Sequence, residues 1–160
     1  MTEDINKLIA EIEAQEKRLV FSHFDTTDAW ALGCLLVELG TAREHPITID
    51  IRRGDQQLFH AALAGTAADN DLWVDRKVRT VRRFGTSSFL VGLRHRVSGT
   101  PFEAREWNDS FLFAAHGGSF PVNIAGSGMI GTITVSGLAQ LEDHLLVVEA
   151  IETFLELDAS

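Results

Sequence analysis

The stretch from His116 to Leu138, HGGSFPVNIAGSGMIGTITVSGL, constrains the fold more than any other part of the chain. It carries no Lys, Arg, Asp or Glu, and a tight Ala125-Gly126-Ser127-Gly128 turn divides it into two β-forming runs, Ser119 to Ile124 and Met129 to Ser136. Glycine supplies the positive φ that such turns need, and β-formers on either side read as paired strands. In the second run Ile130, Thr132, Thr134 and Ser136 share one face, and Met129, Gly131, Ile133 and Val135 share the other. A mostly polar face against a mostly apolar one places one side of this hairpin on a core.

Charge limits the partners. The 160 residues carry a formal net charge of -9, which argues against nucleic-acid binding driven by neutralising phosphates. The lone cysteine, Cys34, precludes an intrachain disulfide and a cysteine-rich zinc site, and within the apolar run Leu32 to Val37 it reads as a small buried hydrophobe. No stretch approaches the ~18 uninterrupted apolar residues of a membrane span. Glu3, Asp4, Glu11 and Glu13 do not fit a signal peptide, so a cytoplasmic setting is expected. Length and the lack of linkers or repeats predict one domain over residues 1–160.

Helices and hairpins alternate along the chain. Residues 2 to about 19 form a predicted helix with Thr2 as cap and an apolar stripe of Ile5, Leu8, Ile9 and Ile12 that ends in Glu16. Leu19 to Phe24 reads as a short strand. Asp25-Thr26-Thr27-Asp28 opens a helix to about Arg43, with Leu32, Leu35, Leu36 and Leu39 inward. Ile47–Ile51 and Gln57–Leu63 form a hairpin about Arg52-Arg53-Gly54-Asp55. Asp69-Asn70-Asp71 caps a helix running to Phe84, where Gly85 supplies the left-handed stop. Ser87–Leu93 is either a strand or a Ser-capped helix, and Thr100–Ala114 shows no clear periodicity. Gln140–Leu157 is a final helix with Leu141, Leu145, Val148, Ile151 and Leu155 inward. Together these elements describe an α+β domain around an antiparallel sheet.

Several segments, in this order, resemble one family. They are Ile49-Asp50-Ile51-Arg52-Arg53, the run Asp69 to Lys77, and Arg82-Arg83-Phe84-Gly85-Thr86-Ser87-Ser88. Ala115-His116-Gly117-Gly118-Ser119-Phe120-Pro121-Val122 and Gly131 to Leu138 complete the set. They are similar to the haem-degrading-domain proteins of the GlcG and HbpS kind, related to the C-terminal domain of PduO-type proteins, over about Leu19 to Leu155. The resemblance implies a profilin-like α/β/α fold, a five-stranded antiparallel sheet flanked by helices. It also implies dimers or higher homo-oligomers, with haem or another small tetrapyrrole as the ligand.

Within that resemblance, His116 at the entrance to the central strand is the candidate ligand-binding residue. Its imidazole suits iron ligation or proton transfer, and Gly117 and Gly118 would let a ligand approach backbone N–H groups. The bland alternative has His116 capping the strand within a simple turn. Arg76 and Arg83, from the stripe Arg76, Lys77, Arg79, Arg82 and Arg83, are candidate partners for haem carboxylates. The stripe otherwise reads as a solvated face. Asp109, beside Asn108, is a further candidate to orient His116. Glu13 with Glu16, and Glu149 with Glu152, fit the ExxE spacing of a hard-cation chelate, a pattern that arises readily by chance; no metal site is assigned. No Ser-His-Asp constellation, His-x-x-x-His pair or phosphate loop is present, so catalytic residues stay unassigned. Two other readings stand beside haem binding: a non-catalytic oligomeric adaptor, and a small-molecule enzyme with a pocket between subunits.

Overall fold

The computed structural model describes residues 1–159; Ser160, the end of the expected 1–160 domain, lies outside the described residues. Five helices are described, α1 (Thr2–Arg18), α2 (Thr26–Ala42), α3 (Ala68–Phe84), α4 (Ser88–Val97) and α5 (Gln140–Ala159). The strands are β1 (Thr48–Arg53), β2 (Gln56–Ala62), β3 (Ser119–Ile124) and β4 (Gly128–Ser136). They form one antiparallel sheet in the order β2-β1-β4-β3. The glycine-turn hairpin is therefore β3–β4, and β4 lies between β3 and β1 inside the sheet.

The expected fifth strand is the main correction. Only Phe21 of Leu19–Phe24 pairs with the sheet, as a parallel bridge to Ile124. Its N–H donates to Asn123 O at 2.8 Å, and its carbonyl accepts from Ala125 N–H at 2.9 Å. Both ends of the segment are committed elsewhere. Leu19 N–H still bonds back to Gln15 O, and Asp25 already caps α2 in a reciprocal box with Asp28. Burial follows suit, because Leu19, Phe21 and Phe24 are all buried while His23 is exposed, which breaks a two-residue alternation. The sheet is four-stranded with helices on both faces.

The two faces differ in chemistry. Ile49 and Ile51 stand opposite Val135 and Ile133, and with Ile47, Phe120 and Val122 they form the main core against α2 and α5. Each such side chain contributes about 1.5–3 kcal/mol on burial. The other face bears Thr48, Asp50, Thr132, Thr134, Ser119 and Ser136, and it too is buried, because α3 lies across it. Asp50 is satisfied there by Arg52 Nε at 2.8 Å and Gln57 Nε2 at 2.6 Å, and Arg52 reaches on to Asp75 at 2.7 Å.

Several local expectations shift. α1 is capped from Met1 with no side-chain bond, rather than by Thr2. α3 begins at Ala68, three residues before Asp71, with Asn70 Oδ1 accepting from Ala67 N–H; Gly85 ends it at φ +73°. Ser87 caps a helix, α4, by accepting from Leu90 N–H. Residues 100–114 hold a single 3-10 turn, Phe102–Ala104. On α5, Leu141 and Leu145 are largely exposed, while His144, Leu146, Val147, Val148, Ile151 and Phe154 are buried. The helix is wedged among α2, α4 and the sheet, so its buried arc is wider than one stripe.

α1 packs on α4 through Ile12, Phe89, Leu90 and Leu93. Glu16 fastens the join by accepting from Ser87 N–H and Oγ at 3.0 and 3.1 Å. Nearby, His144 is almost wholly buried between Phe89 and Phe120, with Nε2 2.8 Å from Gln15 Oε1. Burial lowers its pKa from 6.5 to about 4. The unfolded chain then binds a proton between pH 6.5 and 4 that the folded state refuses. Stability is full above pH 6.5 and falls as pH drops through that window, by on the order of 3 kcal/mol. Denaturant unfolding at pH 7.5 and 4.5 checks this: acid should weaken the wild type more than His144→Phe, and equal losses in the two would contradict it.

Candidate functional site

The polar face of the sheet and the start of α5 enclose the site. Past the 3-10 turn the chain runs alongside α3, where Ala114 N–H donates to Arg76 O at 3.2 Å. His116 follows, half-exposed, with its ring edge-on to Trp73 at 5.1 Å. Its Nε2 stands 3.5 Å from Glu103 Oε1, too long to commit that nitrogen firmly. Burial lowers the pKa of His116; Glu103 opposes the shift, and Lys77 and Arg76 reinforce it. The ring is neutral at pH 7 and keeps a nitrogen lone pair.

Gly117 and Gly118 serve the packing. Gly117 N–H donates to Gln140 Oε1 at 3.2 Å, and a Cβ at this position would collide with the Gln140 carbonyl oxygen. Gly118 has φ +135°, and a Cβ there would strike Val135 O and come within 2.8 Å of Lys77 Nζ. The pair thus lets β4, α3 and α5 close around the strand entrance.

His116 lines a cavity of about 270 Å³, together with Asp69, Asn70, Trp73, Lys77 and Asp143, and with Ser136–Leu138 and Gln140. It also borders a smaller one of about 120 Å³ beside Phe102 and Glu103. Lys77 Nζ, buried, donates to Asp143 Oδ2 at 3.1 Å and to Val135 O at 3.2 Å. Asp143 in turn accepts from Gly137 and Leu138 N–H. Burial pushes the Lys77 amine below its ordinary range and the Asp143 carboxyl above its own, each opposed by the partner's charge.

The two expected arginines part company. Arg76 stacks over Trp73 at 4.3 Å, and its Nε is buried with no hydrogen-bond partner among the described residues. It faces a second depression of about 540 Å³, shared with Asp69, Leu72, Asp75, Arg79, Ser110, Phe111 and Leu112. Arg83 lies two helical turns further on, over Trp107 at 4.6 Å and Phe113 at 5.2 Å, and lines neither depression. Asp109 does not orient His116; it accepts from Phe111 N–H. The ExxE carboxylates are engaged in protein contacts, Glu13 with Arg94, Glu16 with Ser87, Glu149 with Arg43 and Glu152 with Arg18.

Sequence reasoning held Lys77 only as part of the basic stripe and missed Asp143, although a signal set Lys77 apart. Val74, Lys77, Val78 and Val81 follow the spacing of a buried helical stripe, so Lys77 sits at a core position rather than on the solvated basic face.

Comparison with known proteins follows the same lines. The family model described as haem degrading protein HbpS-like matches residues 24–152. A UPF0303 protein of Streptomyces coelicolor is 60% identical over 147 residues, which cover 92% of this chain and 93% of that protein. The solved Ybr137w protein is 33% identical, with a TM-score of 0.87, over 95% of this chain and 90% of that one. The solved complex of PduOC with haem shares the fold, at 17% identity and a TM-score of 0.65, over 81% of this chain and 93% of that one. The chain belongs to the family of HbpS-like haem degrading proteins.

Proposed function

We propose that this chain binds haem or a related tetrapyrrole, which His116 would hold through its imidazole and Arg76 through a ligand carboxylate. The observation that carries this reading is the neutral, half-exposed His116 at a cavity mouth, with only a long contact to Glu103. The unpartnered Nε of Arg76, one residue type suited to carboxylates, supports it. The family's description and the haem complex of PduOC point the same way.

The donor set fits such a group as a single imidazole plus one guanidinium. The cavity, at about 270 Å³, falls below the roughly 300–1,000 Å³ of pockets that enclose drug-sized ligands. It would seat part of a macrocycle, and another surface would complete the enclosure. A bound haem would supply iron-centred ligand or redox chemistry; the chain's own residues would hold and orient it. Nothing in the residues lining the site calls for degradation of the ring.

A homo-oligomer would supply that other surface. Leu72, Phe111 and Leu112 are 60%, 92% and 44% exposed along the depression beside Arg76, an apolar face suited to a second copy. No described helix is long and apolar enough to cross a membrane, and we place the protein in the cytoplasm. On the adaptor reading, this assembly would itself be the function and haem would be irrelevant.

Haem titration followed by absorbance separates these readings. Saturable binding should weaken at least tenfold, about 1.4 kcal/mol, in His116→Ala, and about threefold in Arg76→Gln. Arg83→Gln should bind as the wild type does. Unchanged affinity in His116→Ala would overturn the assignment. Because burial lowers the pKa of His116, the midpoint of acid loss of binding should fall below pH 6.5; a midpoint above pH 6.5 would count against His116 as the ligand. Light scattering should show an oligomer that Phe111→Ser dissociates. An oligomer without saturable haem binding would favour the adaptor.

A further inference from the structure

The chain has three lysines, Lys7, Lys17 and Lys77. The first two are exposed, whereas the Lys77 side chain is only 3% accessible and yet borders the 270 Å³ cavity. Its two acceptors, Val135 O and Asp143 Oδ2, serve three N–H bonds. We propose that Lys77 is a nucleophilic amine that condenses with a small neutral aldehyde or ketone entering this cavity, with Asp143 Oδ2 as its proton acceptor. The proposal goes beyond tetrapyrrole binding and does not require His116 to ligate iron.

Three features of the geometry support it. Lys77 lines the cavity, and its Nζ lies 3.1 Å from a carboxylate that can take its proton. Backbone N–H groups of Gly137 and Leu138 hold that carboxylate in place. Gly118 lets the amine pack against the strand entrance, since a Cβ there would come within 2.8 Å of Nζ and strike Val135 O. Burial supports the same chemistry by favouring the uncharged amine and the protonated acid, as in other desolvated nucleophilic lysines. Lys77 is also the only lysine or arginine lining the cavity, against the two acids Asp69 and Asp143. That balance favours a neutral carbonyl compound over an oxo acid.

The step balances without a further reactant. The ammonium passes one proton to Asp143, and the freed nitrogen lone pair attacks the carbonyl carbon while the C=O pair moves to oxygen. That oxygen takes one proton from nitrogen and one back from Asp143, then leaves as water as the C=N bond forms. The product iminium keeps the single positive charge of the starting ammonium, opposite a regenerated carboxylate.

Propionaldehyde with cyanoborohydride at pH 7, followed by peptide mass mapping of the folded full-length protein, tests this directly. Lys77 should be alkylated at least tenfold faster than Lys7 and Lys17, and glyoxylate should label it less well than propionaldehyde. Asp143→Asn should slow labelling at Lys77 and leave Lys7 and Lys17 unchanged. The wild-type comparison stands even if that variant does not fold. Labelling of Lys7 and Lys17 alone, with Lys77 modified only in denaturant, would overturn the proposal and leave a purely structural ion pair. A preference for glyoxylate would overturn the neutral substrate class. The assay contains no haem, so its failure and failure of the haem titration are read separately.

Discussion

One buried ammonium holds the site together. Lys77 joins α3 to β4 through Val135 O and to α5 through Asp143. Two ionisable groups withdrawn from water are costly unless their geometry is good, and removing one partner of such a pair costs about 3–5 kcal/mol. Here Asp143 is held further by two backbone N–H groups from the turn that follows β4. The link also fixes where α5 begins, and with it Gln140, which receives the Gly117 N–H. Ion pair, glycine pair and cavity wall depend on one another.

The pair has this position because the sheet has two unlike faces. Its apolar face, with Ile47, Ile49, Ile51, Ile133 and Val135, is sealed by α2 and α5 and leaves no room for polar chemistry. The opposite face presents threonines, serines and Asp50, and α3 covers it with a mixed surface of valines, Lys77 and Asp75, which pairs with Arg52 of β1. Buried polar groups demand partners, and most find them within the protein. Thr48 and Thr132 hydroxyls and Arg76 Nε do not. Of these, Arg76 borders the depression beside Phe111 and Leu112, and Thr132 a smaller one beside Gly54 and Met129.

Much of this was legible in the sequence where one physical signal dominated. The glycine turn between Ser119 and Ser136 defined the central hairpin because few other conformations accept Ala-Gly-Ser-Gly between alternating β-formers. Asp25 and Asp28 marked the start of α2 by the reciprocal cap they form. The signal failed where tertiary contacts decide. Leu19–Phe24 has strand-like residues, but the helix on each side leaves only Phe21 free to pair. Leu145 fits a helical stripe yet is exposed, since α5 is packed on a broad arc that no single stripe describes. At the site, His116 was visible as an imidazole ahead of two glycines at a strand entrance, and Arg76 as a member of a basic helical stripe. Glu103 and Asp143 were not, because their partners lie 13 residues away along the chain for Glu103 and 66 for Asp143.

On the proposed reading, ligand chemistry is concentrated at the cavity wall lined by His116, Trp73, Lys77 and the Gly137–Leu138 turn. Paramagnetic broadening of backbone amide signals by ferric haem, with a zinc protoporphyrin control, tests that placement most directly. The account predicts strongest broadening at Gly117, Gly118, Gly137 and Leu138. Broadening centred instead on His23, His45 or His60, with the amides around His116 unaffected, would contradict it.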